Sequence, residues 1–471
     1  MFDPNRERPS VARLTTPAVA VSCSANIALY PALAADTCGR LGLAWYEYGS
    51  PHRSDRSDVW FSRADGVGGW EPPSNVSAGV SYNNGPSLIW NSEYWLCAWH
   101  SWRAPGAEPF VPGGDLTNLW CAKISAGGWI SPAQLALSEG INTEYASLNL
   151  LDGERCGLLY HDRVLQTQCL SFGASPPFRL GERLPDAFDV SSFADFAYGG
   201  GVQWVAFVAR SGGIYLTSRR HQSADWTPPL RLDPNCEEKF TRPKISLDAD
   251  GAIWIACHSN TWGQRRATYR VCVEDSVNVH LEADSTPGNH CWTCNAICIR
   301  GAQADRIFSF GPDVFAVSSG VVPITVDQCL YEADRGYGFD RQPGSQLREL
   351  GDEVTRGLFF DAEPISFRVD VSPGEYEVEV IYSSWIAPAA GTQIRIEGML
   401  HEVQVQHQRD AIHLMRISVD GAIEHRRLSE NVGLDENRPS RVIFDALGNK
   451  HLAWTRYGPD RVDVVHATFE W

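Results

Sequence analysis

Three histidines, His100, His161 and His258, each close an apolar run at the same position, and Tyr46 holds that place in a fourth run. The runs are Leu43-Ala44-Trp45-Tyr46, Cys97-Ala98-Trp99-His100, Leu158-Leu159-Tyr160-His161 and Ile255-Ala256-Cys257-His258. Ala206-Phe207-Val208-Ala209 and Leu452-Ala453-Trp454-Thr455 keep the pattern without the imidazole. Imidazole exchanges a proton near neutral pH, so histidine beside tyrosine suits acid–base work. Arginine adds forked hydrogen bonds to a carboxylate. His100, His161, His258, Tyr46, Tyr160 and Arg163 therefore supply the types needed for β-elimination beside a uronate carboxylate. Glycoside hydrolysis instead needs two facing carboxyl groups. Glu47, Glu144, Asp162 and Asp189 are available for that, with no spacing that pairs them.

Repeated strand ends imply stacked copies of one β unit, which bring equivalent positions onto one surface. Each copy reads as four short strands. Arg242 to Asp248 and Ala252 to Cys257 flank an Asp-Gly turn, and the last strand carries a Trp-x-x-Pro pattern (Trp70-Glu71-Pro72-Pro73, Trp129-Ile130-Ser131-Pro132, Trp226-Thr227-Pro228-Pro229). Asp-Gly between apolar runs is a hairpin signal, and proline suits an outer edge. Copies at 26–79, 80–140, 141–187, 188–234 and 235–283 recur at about the propeller interval of forty to fifty residues. The segment 438–471 has three strands, and Ser10 to Val21 can supply its fourth, closing a ring. Cys294 to Arg300 and Arg306 to Phe310 read as the first half of a further copy, completed by Ala411 to Ile417 and Ala422 to Arg427. The expectation is an all-β chain: a β-propeller of seven blades, with six or eight as the counting error, over 1–311 and 406–471. An antiparallel β-sandwich is expected over 312–405.

In a propeller the loops after second strands open on the same face as the loops between blades. Tyr30, Asn84, Tyr145, Arg242 and Arg438 from inter-blade loops should join Glu47, Asp162, Trp102 and Tyr457 there as substrate contacts. Each histidine alone reads first as a hydrogen-bonded rim residue, three at equivalent positions bring a functional role level with that, and Trp45, Trp99 and Trp454 read as packing wedges. His290, Cys291, Cys294 and Cys298 have donor types that suit zinc, but the second half of a zinc pattern is missing, so buried thiols are the main reading. No cofactor is expected. The net charge of −17 argues against a nucleic-acid partner. No run is apolar enough for a membrane span, and the thirteen scattered cysteines suit a reducing, cytoplasmic setting.

Phe308-Ser309-Phe310-Gly311, Gly336-Tyr337-Gly338-Phe339 and Phe367-Arg368-Val369-Asp370-Val371 before Pro373-Gly374-Glu375-Tyr376 resemble the β-sandwich accessory domain of bacterial rhamnogalacturonan acetylesterases. That resemblance implies a plant or algal polysaccharide context. The strand pattern with its histidine, tyrosine and arginine resembles the seven-bladed propellers of ulvan lyases, rhamnose–glucuronate lyases and related α-rhamnosidases. It implies action on rhamnose–uronate linkages of an oligosaccharide, by a lyase first and a glycoside hydrolase second. A non-catalytic sugar-binding propeller is a third reading, although a lectin would repeat one pocket and these positions diverge.

Overall fold

The computed structural model describes residues 10–22, 26–48, 57–77, 82–101, 117–138, 142–151, 155–210, 212–221, 223–233, 240–259, 265–283, 292–294, 296–301, 304–311, 321–347, 357–361, 363–382, 392–396, 399–400, 411–428, 435–457 and 462–471. Strands dominate, and the helical elements among the described residues are two short 3₁₀ turns. Among the described residues no helix is long and apolar enough to cross a membrane. The chain divides into one unit of Met1–Asn260 with Asp410–Trp471, and a second unit of Thr261–Arg409.

The first unit contains six small sheets among its described residues. Four are continuous in sequence: Ile27–Ala35 through Ser74–Asn75, Asn83–Trp90 through Gln134–Leu135, Thr143–Leu150 through Glu182–Arg183, and Val190–Gly199 through Leu230–Arg231. Each is an antiparallel meander whose second strand is almost wholly buried. Trp95, Leu96, Cys97 and Ala98, for example, are all excluded from solvent. Burial on both faces explains why these strands read as unbroken apolar runs rather than as alternations.

The fifth sheet is the interrupted one. Phe240–Leu247 and Ile253–Ser259 pair directly with Ile412–Ile417, which pairs with Ile423–Arg427. The second unit thus departs after the second strand of this sheet and returns at its third. The sixth sheet joins Asp435–Asn437 and Ile443–Phe444 to Lys450–Tyr457 and Val462–Glu470, and its outer edge comes from the other end of the chain. Arg13–Leu14 and Val19–Ala20 pair with Val462–Glu470, while Ser10–Val11 pairs with the outer strand of the fifth sheet. First strands of consecutive sheets pack on one another from Ile27–Ala35 to Phe240–Leu247. Ile253–Ser259 then packs on Asp435–Asn437, and Lys450–Tyr457 packs back on Ile27–Ala35. The ring is closed, with the strand order of propeller blades.

Two expectations differ from this arrangement. Ala296–Gly301 and Ala304–Gly311 are not blade strands: they pair with each other and with Gly374–Tyr382 in the second unit. The described residues therefore give six sheets to the ring rather than seven, and the second unit begins at Thr261 instead of 312. Both segments alternate over an Asp- or Gly-containing turn as a blade hairpin does, so period alone could not separate them. Within the second unit, two five-stranded sheets enclose one core that includes Val277, Val279, Ile297, Phe308, Phe339, Phe367 and Val380.

Candidate functional site

Register along the first strands slips at equivalent points. The pairing shifts between Leu29 and Ala32, Asn84 and Ser87, Glu144 and Ser147, Val190 and Ala194, and Thr241 and Lys244. Such bulges re-aim side chains. At four of these slips and at the matching point of the sixth sheet, one residue adopts a left-handed backbone: Tyr30, Gly85, Tyr145, Arg242 and Arg438, with φ from 52 to 58°. Proline follows four of them (Pro31, Pro86, Pro243, Pro439) and lacks the N–H that the broken ladder would leave unmatched. A non-glycine residue in this region costs about 1–2 kcal/mol. Four such residues facing one space mark a functional candidate.

That space is a narrow recess on the ring of six sheets, with a cavity volume of about 50 Å³. Its walls are Tyr30–Pro31, Gly85–Pro86, Tyr145–Ala146, Phe193–Ala194, Arg242–Pro243–Lys244 and Arg438–Pro439. The guanidinium carbon of Arg242 lies 4.5 Å from the Tyr30 ring centre and 4.0 Å from that of Phe193. Arg438 lies 4.4 Å from the same Tyr30 ring. Two cations thus share one tyrosine, whose negative π face favours their approach.

Beneath the wall, Arg441 of the sixth sheet crosses to Asp195 of the fourth. Its Nε donates to Oδ2 at 2.8 Å and its Nη2 to Oδ1 at 2.6 Å. Nη2 also donates to Ser147 Oγ in the third sheet at 2.8 Å, and Nη1 to the Leu148 carbonyl. The Ser147 hydroxyl and the Ile245 N–H complete the carboxylate, so all four acceptor positions of Asp195 are occupied. Burial works to raise this carboxyl, but Arg441 and Lys244 outweigh it and hold it below its ordinary value. Lys244 is shifted downward mainly by burial, with Asp195 opposing and Arg441 and Arg242 reinforcing.

The histidines stand behind this wall. His258 Nδ1 accepts the Arg438 N–H at 3.1 Å, and His100 Nδ1 accepts the Tyr145 N–H at 3.4 Å. Thr455 Oγ1 does the same for Tyr30 at 3.3 Å. The strand-end residue of one sheet therefore holds the left-handed residue of the next. A nitrogen that accepts an N–H carries no proton, so both rings are neutral there with hydrogen on Nε2. Burial agrees: it brings His100 down to about 3, aided by Arg163 and Arg242, and places His258 well below its ordinary value, aided by Arg242, Arg438 and His413. Burial likewise lowers His161 to about 4, against the pull of Asp162. His161 Nδ1 lies 3.4 Å from Gln168 Nε2. The rim placement expected for these side chains is thus corrected to a buried one, because each closes a strand covered on both faces.

Of the other anticipated residues, Tyr30, Tyr145, Arg242 and Arg438 meet in the recess. Tyr46 is buried behind it, its ring 5.4 Å from that of Tyr30. Tyr160 turns away, accepting the Gly181 N–H at 3.0 Å. Glu47 accepts the Trp45 indole N–H at 2.8 Å, and Asp162 caps a turn through the N–H groups of Val164 and Leu165. Arg163 approaches Glu144 at 4.0 Å, and Asn84 donates to the Tyr82 hydroxyl at 3.2 Å. Trp102, the Tyr457 side chain, His290 and Cys291 lie outside the described residues. Cys294 and Cys298 are buried, and the Cys294 thiol faces the carbonyls of Ala296 and Ile381 at 3.7 Å; burial pushes its pKa up.

Lys244, Asp195 and Arg441 were not anticipated, yet the register marks them. At the Lys244 position the other sheets carry Ala32, Ser87, Ser147, Ala194 and Ser440. One position on, Leu33, Leu88, Leu148 and Ile245 accompany Asp195 and Arg441.

No family description matches the sequence, and no curated protein matches it. Among solved structures, a protein of unknown function from Dyadobacter fermentans DSM 18053 shares 9% identity over 98% of this chain and 99% of its own, with a TM-score of 0.50. An α-L-arabinanase of Penicillium chrysogenum complexed with arabinobiose matches 49% of this chain and 72% of its own at 15% identity and a TM-score of 0.38. The polysaccharide lyase Uly1 matches 50% of this chain and 55% of its own at 9% identity and 0.32. At 9% identity the full-length likeness is one of fold.

Proposed function

We propose that the chain is a carbohydrate-active enzyme whose recess holds the carboxylate of a uronic-acid unit in an oligosaccharide, and that cleavage there proceeds by β-elimination. The observation that carries this reading is the gathering of Arg242, Arg438 and Lys244 around two tyrosines in a chain of net charge −17. The two guanidinium groups suit a carboxylate and the enolate-like charge that builds when the neighbouring proton leaves. Hydrolysis would call for two carboxyl groups. The described lining contains neither aspartate nor glutamate, and Asp195 beneath it is fully committed to Arg441, Ser147 and Ile245.

His100 and His258 become positioning residues in this reading, since they fix the backbone of Tyr145 and Arg438. The test is incubation with rhamnogalacturonan, ulvan and gum-arabic fragments, followed at the ultraviolet band of an unsaturated uronate. Growth of that band, lost in Arg242→Met, is the expected result. Reducing ends without the band would select a hydrolase, and binding without either product would select a lectin.

A further inference from the structure

Lysine is scarce in this chain: Lys123, Lys239, Lys244 and Lys450 are the four among forty basic residues. One of them occupies a recess position that is alanine or serine in every other sheet. Lys244 lines the recess itself. Its nearby carboxylate, Asp195, has each acceptor site filled by Arg441, Ser147 and the Ile245 N–H. Asp195 therefore stabilises the Lys244 charge from a distance without receiving its proton donors. Arg242 precedes it by two residues and shares the recess.

We propose that Lys244 is the proton-transferring residue of the recess, a role that rests on the uronate reading above. Its neutral amine takes the proton from the carbon beside the uronate carboxylate. The released electron pair forms a double bond to the adjacent ring carbon as that carbon's bond to the glycosidic oxygen breaks. The departing oxygen takes a proton from the new ammonium, which returns Lys244 to its starting form. Atoms and charge balance with no further reactant. Burial and the two arginines favour the neutral amine that the first step needs. The imidazoles are less suited, because His100 and His258 already spend Nδ1 on a backbone N–H.

The experiment compares the full-length chain with Lys244→Arg, Lys244→Met and Lys244→Ala. Binding of the same uronate fragments is read by intrinsic tryptophan and tyrosine fluorescence, and turnover by the unsaturated-uronate band. Loss of about 10²–10⁴-fold in turnover, with binding retained in Lys244→Arg and partial rescue of Lys244→Ala by methylamine or ethylamine, is expected. Folding of each variant is checked by its thermal transition. Undiminished turnover in Lys244→Arg overturns the proton-transfer role and leaves the uronate reading standing. So does loss of turnover that no amine restores in a folded Lys244→Ala chain. Failure of the wild-type chain to bind any uronate fragment overturns both.

Discussion

A buried imidazole that accepts an N–H does its structural work only while unprotonated. His100 and His161 have folded values near 3 and 4, while an unfolded histidine keeps its ordinary 6.5. Their contribution to stability is therefore complete above pH 6.5 and is lost as the pH falls from 6.5 towards those lower values. Each should add about 1.4 kcal/mol of destabilisation per pH unit within that window. Urea unfolding at a series of pH values between 7 and 4 measures this slope. His100→Asn, which offers an acceptor without a titrating ring, should flatten it; an unchanged slope would assign the acid sensitivity elsewhere. His258→Ala leaves the Arg438 N–H without its acceptor and should cost about 1–3 kcal/mol, read as a lower denaturation midpoint. These expectations invert the first impression from sequence. The repeat set Tyr30, Tyr145, Arg242 and Arg438 on one face, and they line one recess, but it placed the histidines at the mouth. Residue type announces acid–base capacity, whereas burial decides whether it is used, and strand coverage is not visible one run at a time.

Among elements, the bulged first strand matters most. It repeats around the ring and in five of the six sheets turns one residue into the left-handed region, where glycine serves without strain and tyrosine or arginine does not. Gly85→Ala tests the device, since φ is +58° and the new methyl would stand 3.0 Å from the His100 ring. A loss of about 1–2 kcal/mol is expected from the backbone alone, measured by chemical denaturation. A neutral result would mean that the bulge readily relaxes. Much of this element was legible: strand ends, Asp-Gly turns and Trp-x-x-Pro edges marked the four continuous ring sheets and the first hairpin of the fifth. Of Ser10 to Val21, expected as the outer strand of the last sheet, Arg13–Leu14 and Val19–Ala20 lie there, while Ser10–Val11 joins the fifth. The interruption was assigned to a seventh copy instead of the fifth, because Ala296–Gly301 and Ala304–Gly311 form a hairpin as regular as any in the ring. Arg265–Val273 and Ser276–Ala283, expected to complete the copy at 235–283, pair instead with Gly374–Tyr382 and Ile365–Asp370 in the second unit. Local patterning fixes a hairpin; only long-range pairing, here Ile253–Ser259 with Ile412–Ile417, says which sheet owns it.

At the scale of the first unit, the Arg441–Asp195 bridge ties the third, fourth and sixth sheets across the ring. Asp195 is completely buried, so Arg441→Met should leave an uncompensated charge and cost about 3–5 kcal/mol. Adding Asp195→Asn to that variant should recover part of the loss, and a double-mutant cycle reads the coupling; additive effects would show that the two groups act separately. The ring is also fastened by residues 10–20, which lie against Ile423–Arg427 and Val462–Glu470. During synthesis these strands must wait for Val462–Glu470 to leave the ribosome. Until then the nascent chain carries exposed edges at both open ends, a period when chaperones, proteases and neighbouring chains compete for them.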